Sequence, residues 1–277
     1  MLVELFALLK REYLRWVRAP MWIVAGLMTP ILYLLLFGQA FNLGALVGSS
    51  PQGEAALRAA LWGAPDYFSY FAVGMVGMVA VTSALFAGTG VIFDKQLGIM
   101  QRTIATPVRR STIFSSILLF RGFLVVLPIF IVLGLALAFA HVPGLVGLTV
   151  TQGVGALGVG AVILAVFILA IAFTSLFLAF GFLFSRVESY FGVVNLLNLP
   201  LLFTSNALYP VGTEPGWLQN ITAYNPISLA VDVMREVFFG SSYYPHPVYV
   251  YLLGLLAWAA GLVALALFLA ARALRTK

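Results

Sequence analysis

Long apolar runs separated by short polar segments dominate the chain. Six of these runs reach or approach the roughly 20 helical residues needed to cross a hydrocarbon core, so they predict six membrane-spanning helices. Their continuity excludes the short alternating strands of an outer-membrane barrel. The predicted spans cover residues 21–41, 67–92, 113–140, 153–184, 191–208 and 248–271.

The composition supports the same interpretation. Of the 277 residues, 62% are hydrophobic and 9% are charged, whereas a soluble domain has about 25% charged residues. We therefore predict an all-α integral membrane protein that forms a single transmembrane domain over residues 1–277.

The residues before the first span predict an amphipathic helix. Glu4, Arg11, Arg15 and Arg18 fall on one helical face, and apolar side chains fall on the other. Such a helix lies in the membrane interface. It is either a simple membrane anchor or, in addition, a docking strut for a cytoplasmic partner.

The basic residues are distributed unevenly across the predicted membrane. Of the fifteen Lys and Arg residues, twelve fall on one side, two fall on the other, and Arg121 lies within the third span. Because basic residues accumulate on the cytoplasmic side, both termini are predicted to be cytoplasmic, in the inner membrane of a bacterial or archaeal cell. The positive charge therefore requires no nucleic-acid partner.

The longest inner connection, between spans two and three, contains the sequence FDKQLGIMQRTIATPVRR, residues 93–110. Its first half predicts a short helix, and Pro107 ends it because the residue before a proline avoids the helical region. A short helix held at the cytoplasmic surface would let a soluble partner push on the membrane domain. A solvated basic loop is the alternative.

The outer segment after span five reads NALYPVGTEPGWLQNITAYNPISLAVDVMRE, residues 206–236. It predicts two short helices that dip back into the outer leaflet, with Asn225 and Pro226 as N-cap and first helical residue of the second. Asp232 and Arg235 are spaced i, i+3 and are predicted to neutralise one another at that depth. We expect structural pairing of these two residues rather than substrate contact.

These two motifs, in this order and with this span count, resemble the type-2 ABC exporter permeases, a family that exports drugs, lipid-linked sugars and polysaccharides. The resemblance implies a cytoplasmic coupling helix in the inner motif, re-entrant helices in the outer motif, and structural roles for the outer residues Asn225, Pro226, Asp232 and Arg235. The inner-motif residues that it assigns to coupling with an ATPase subunit are Asp94, Lys95, Gly98, Gln101, Arg102, Thr106 and Pro107.

The energy for transport must come from another polypeptide. A phosphate-binding loop needs a lysine followed by Ser or Thr after a glycine-rich turn, and Lys10, Lys95 and Lys277 do not satisfy this pattern. We therefore predict no nucleotide-binding domain and no cofactor in this chain, with ATP and magnesium on a separate ATPase subunit. The resemblance implies two ATPase copies and a second permease, either a copy of this chain or a close homologue.

The predicted function is thus that of the permease subunit of an ATP-binding cassette exporter, which moves an amphipathic, lipid-linked or glycan substrate outward. An ion-coupled secondary transporter or channel is the alternative, but it would place ionisable groups near the midplane. Arg121 is the one charged residue clearly within a predicted span, and we expect it to be structural, with Glu188 as a candidate partner.

An enzyme is not expected. The chain has no cysteine, and its two histidines, His141 and His246, lie outside the predicted spans without metal-ligand spacing.

Overall fold

A computed structural model describes residues 2–17, 21–40, 50–106, 108 and 110–273. Within these ranges the regular structure consists of eleven α-helices and two short 3-10 helices, with no strand, so the prediction of an all-α protein is confirmed. The α-helices are α1 (Leu2–Val17), α2 (Met21–Ala40), α3 (Pro51–Ala60), α4 (Tyr67–Gln96), α5 (Ile99–Ile104), α6 (Arg110–Phe139), α7 (Ala156–Leu183), α8 (Val187–Phe203), α9 (Gly216–Tyr224), α10 (Pro226–Phe239) and α11 (Val248–Ala273). The 3-10 helices cover Val211–Thr213 and Ser241–Tyr243.

Four predicted spans coincide with long apolar helices, namely α4, α6, α7 and α11. Their membrane-compatible segments contain 25 to 30 residues. At about 1.5 Å per residue, each exceeds the roughly 30 Å thickness of a hydrocarbon core. The chain is therefore a multi-pass membrane protein. The predicted first and fifth spans correspond to shorter apolar helices, Leu27–Ala40 within α2 and Val187–Phe203.

The position of α8 differs from the prediction. The apolar run suggested a span over residues 191–208, but the helix begins at Val187 and ends at Phe203. Beyond that point the Thr204 hydroxyl donates back to the carbonyl oxygen of Pro200 at 2.7 Å. The backbone of residues 204–210 then leaves the helix, although the predicted span continued to residue 208.

The central helix of the bundle is α4. It packs against α2, α6, α7, α8 and α10, and most of its residues are buried. The next layer is formed by α7, which lies between α4 and α11. The outer helix α11 exposes large apolar side chains such as Leu253, Leu256 and Phe268, as expected of a helix that faces lipid.

Glycine allows α4 and α7 to approach closely. A methyl group added at Gly181 of α7 would lie 2.6 Å from the carbonyl oxygen of Gly88 in α4. The contact therefore has no room for a larger residue, and small residues of this kind let membrane helices bring their backbones together.

We expect Gly181→Ala to lower the stability of the protein by about 1–3 kcal/mol, because the added methyl group would force the two helices apart. Thermal unfolding in detergent, followed by size-exclusion chromatography, measures the effect. The matched control is Gly134→Ala in α6, where an added methyl group meets no atom within 4 Å. Equal melting temperatures for both variants would contradict this packing argument.

Candidate functional site

Two clusters of polar residues lie at the two ends of α4, and the first surrounds the turn into α5. Gly98 separates the helices and has φ of +70°, a left-handed conformation that glycine adopts without steric cost. The chain turns there, and α5 packs against α4. The short helix predicted for this segment is therefore present, while Pro107 lies outside the described residues.

The short helix α5 has one buried and one exposed face. Met100 and Thr103 are buried, whereas Gln101 and Arg102 are exposed. Thr106, just beyond the helix, is exposed as well. Three of the predicted ATPase contacts are therefore accessible to a soluble partner.

Asp94 and Lys95 instead face the protein. Asp94 is only 1% exposed, so its carboxylate lies inside the bundle and any part it takes in coupling is indirect. The Lys95 ammonium donates to the carbonyl oxygens of Gly181, Phe182 and Phe184 at 2.9, 2.5 and 3.1 Å. It thereby satisfies carbonyl groups at the C-terminal end of α7, where a cation is favourable.

The partners of Arg121 also differ from the candidate pairing. This buried side chain on α6 lies 3.5 Å from the Asp94 carboxylate and 3.9 Å from the Glu12 carboxylate. It also donates to the carbonyl oxygen of Ala87. Glu188 is exposed in the first turn of α8. Arg121 therefore pairs with the two buried carboxylates and not with Glu188.

Arg11 extends this cluster to α5. It donates to the Thr103 hydroxyl at 2.9 Å and forms an ion pair with Glu12 at 2.8 Å. We call Arg11, Glu12, Asp94, Thr103 and Arg121 the inner polar cluster. It connects α1, α4, α5 and α6 through side-chain contacts.

At the other end of α4, Asn225 joins two helices. Its amide oxygen accepts from the backbone N–H of Ile227 at 2.8 Å, which confirms the predicted N-cap of α10 with Pro226 as the first helical residue. Its amide nitrogen donates to the carbonyl oxygens of Leu201 and Thr204, both at 3.0 Å. One side chain therefore caps the start of α10 and the end of α8.

Arg235 holds the non-helical backbone that follows α8. Its guanidinium donates to the carbonyl oxygens of Asn206 at 3.0 Å and Tyr70 at 2.9 Å, and it stacks 3.4 Å above the Tyr70 ring. The Tyr70 hydroxyl donates to the carbonyl oxygens of Asn206 and Tyr209. Irregular backbone buried in a membrane protein needs such internal partners.

Asn206 connects the two charges that were predicted to pair. Within the described ranges, no nitrogen of Arg235 lies within 4.0 Å of an Asp232 carboxylate oxygen. The Asn206 amide donates to Asp232 at 2.6 Å, while its carbonyl oxygen accepts from Arg235. Asn206 therefore bridges the two charged residues in place of a direct ion pair, and the sequence spacing did not reveal this bridge.

A comparison with known proteins identifies the family of this chain. A family model described as ABC-2 type transporter matches residues 3–239, which is most of the chain. The chain belongs to the ABC-2 type transporter family. The resemblance to this family is therefore confirmed, and the chain is an ABC transporter permease whose family implies an ATPase partner.

Individual relatives are permeases of different organisms. The chain is 27% identical over 242 residues to the ycf38 permease of Cyanophora paradoxa, covering 87% of this chain and 76% of the relative. It is 27% identical over 225 residues to the daunorubicin resistance ABC transporter permease protein DrrB1 of Streptomyces coeruleorubidus, with coverages of 80% and 70%. It is also 27% identical over 242 residues to nodulation protein J of Rhizobium meliloti strain 1021, with coverages of 85% and 81%.

We expect Arg121→Met to destabilise the permease by about 3–5 kcal/mol, because it removes a cation shared by two buried carboxylates. Adding Asp94→Asn to this variant should restore part of the loss. Thermal unfolding of the purified permease measures both effects. Arg102→Met is the matched control, since it removes an exposed arginine from the same end of the protein. A melting temperature of Arg121→Met equal to that of the control would contradict the role of the inner polar cluster.

Proposed function

We propose that this permease is the membrane-spanning subunit of an ATP-binding cassette exporter and moves an amphipathic, lipid-linked or glycan substrate outward. Two ATPase subunits bind ATP and magnesium, and a second permease, either another copy or a close homologue, completes the assembly. Family membership supports the ATPase partner. The name of the DrrB1 relative, which refers to resistance to daunorubicin, supports an export direction.

The proposed topology has six spans, with both termini on the cytoplasmic side of the inner membrane. Twelve of the fifteen basic residues then lie on the same side as α5. The two shorter apolar helices complete the six spans. The α2 sequence contains no charged residue, and α8 contains only Glu188, in its first turn.

The observation that carries this proposal is an exposed helix face on a firmly attached element. Gln101 and Arg102 project from α5, while Thr103 on its buried side accepts a hydrogen bond from Arg11 of α1. A force applied to α5 therefore reaches α1 and α4 together, because all three are in contact through packed side chains and hydrogen bonds. We propose direct ATPase contact for Gln101, Arg102, Thr106 and Pro107, and a supporting role for Asp94, Lys95 and Gly98.

We propose that α9 and α10 are the re-entrant outer helices. Trp217 and Ile221 of α9 are 67% and 48% exposed. They lie one helical turn apart, so they form an apolar stripe that would enter the outer leaflet. Asn225, Pro226, Asp232 and Arg235 keep the structural roles expected of them at the junction with α8.

Family membership does not favour an ion-coupled transporter or channel. The charged residues of the inner polar cluster also contact one another near the end of α4. A proton or sodium pathway would instead use ionisable groups near the midplane.

We expect Arg102→Glu to weaken co-purification of the permease with its ATPase subunit by about tenfold, since charge reversal at an interface suppresses association. The melting temperature of the permease should not change, because Arg102 is exposed. The same variant should reduce the coupling of ATP hydrolysis to transport in reconstituted vesicles.

Arg58→Glu is the matched control, because Arg58 is exposed on α3, in a segment predicted to lie on the outer side. Unchanged partner binding and transport in Arg102→Glu would remove the proposed contact.

A further inference from the structure

A cavity of about 760 Å³ lies between the junction of α9 with α10 and the first half of α11. Its volume falls within the roughly 300–1,000 Å³ range of small-molecule sites. The cavity lies at the same end of α4 as the contacts between Arg235 and Asn206. The inner polar cluster and α5 lie at the opposite end of α4. The proposed contact between α5 and an ATPase subunit does not depend on this cavity.

The walls of this cavity are mainly aromatic and apolar. Trp62, Tyr224, Tyr251 and Trp258 line it, and Gly261 leaves open space on the α11 side. The Trp258 indole N–H donates to the carbonyl oxygen of Tyr224 at 2.7 Å, which fixes that ring between α9 and α11. Aromatic faces carry a negative electrostatic potential and attract cations.

One carboxylate group, that of Asp232, lies beside these aromatic side chains. Asp232 of α10 lines the cavity, and one of its oxygens accepts from the Asn206 amide at 2.6 Å. For the other oxygen, the described part of the chain supplies no hydrogen-bond donor. Asn206 also lines the cavity, and its own side-chain oxygen is buried without a hydrogen-bond partner in the described residues.

Helix α10 contains two acidic residues and one basic residue. Arg235 is committed to backbone carbonyl oxygens and the Tyr70 ring. Two acidic residues, Asp232 and the buried Glu236, accompany this single cation. The Asp232 carboxylate thus has no cation within ion-pair distance in the described residues. A buried carboxylate without a counter-charge takes up a proton, so a positively charged ligand against Asp232 would stabilise its ionised form.

We propose that this aromatic cavity binds a hydrophobic organic cation, with its positive charge against Asp232 and its apolar body between the tryptophan and tyrosine rings. A metal ion fits less well, because Ca²⁺ and Mg²⁺ take six or more oxygen ligands. In the described ranges no group of three or more His, Cys, Asp or Glu residues could hold a metal.

The test uses the purified permease alone in lipid nanodiscs with radiolabelled tetraphenylphosphonium as the probe. Because no ATPase is present, the outcome is independent of the proposed exporter function. Asp232→Asn removes the charge with little change in shape. Gly261→Phe fills the cavity from α11, where an added side chain meets no atom within 4 Å.

Each variant has a matched control. Glu54→Gln removes an exposed carboxylate from α3, away from the cavity. Gly160→Phe adds the same ring at an exposed position of α7, where the structure also leaves open space. The melting temperature of every variant shows whether it is folded, and Gly261→Phe provides a second route if Asp232→Asn does not fold.

We expect saturable tetraphenylphosphonium binding that is about tenfold weaker in Asp232→Asn and lost in Gly261→Phe. Both controls should bind like the unaltered permease, and neutral triphenylphosphine oxide should compete poorly. Equal affinity in a folded Asp232→Asn variant, equal competition by the neutral compound, or no saturable binding to the unaltered permease would overturn the proposal.

Discussion

Charged side chains inside an apolar bundle must find their partners within the protein, and this requirement organises both ends of α4. Leaving a buried charge without a partner costs several kcal/mol (about 3–5 when one member of a pair is removed). Arg121 therefore pairs with Asp94 of α4 and Glu12 of α1. At the opposite end, Arg235 gathers the carbonyl oxygens of Tyr70 and Asn206. Neighbouring helices are thus fixed by polar contacts as well as by apolar packing.

The two clusters are separated by one continuous helix of 30 residues, which is about 45 Å long. Its close contact with α7 at Gly88 and Gly181 leaves little room for sliding. A rigid element therefore lies between the proposed ATPase contact on α5 and the Asn206 bridge that leads to the aromatic cavity. Through this rigid helix, a displacement of α5 would move the backbone around the Asn206 bridge at the other end of the bundle.

The apolar runs were sufficient to predict the four long spans. The inner motif, residues 93–110, predicted a short helix, and the Asn225–Pro226 pair predicted the start of α10. These features depend on local chemistry. The direction of Asp94 could not be predicted in this way, because its partner Arg121 is on another helix and Glu12 is on a third. The end of α8 was missed because its last carbonyl groups are satisfied by Asn225, a residue more than twenty positions later. The arginine within an apolar span did indicate an acidic partner, but the candidate Glu188 was wrong, because Asp94 and Glu12 lie closer to it in the folded chain.

The proposed coupling to an ATPase requires that α5 faces the cytosol, where an ATPase can reach it. Because the chain has no cysteine, single cysteines can be introduced at Gln101 and at Arg58 and tested with a membrane-impermeant maleimide. We predict that Gln101→Cys reacts only after the cells are opened, whereas Arg58→Cys reacts in intact cells. Labelling of Gln101→Cys in intact cells, with Arg58→Cys protected, would contradict the account.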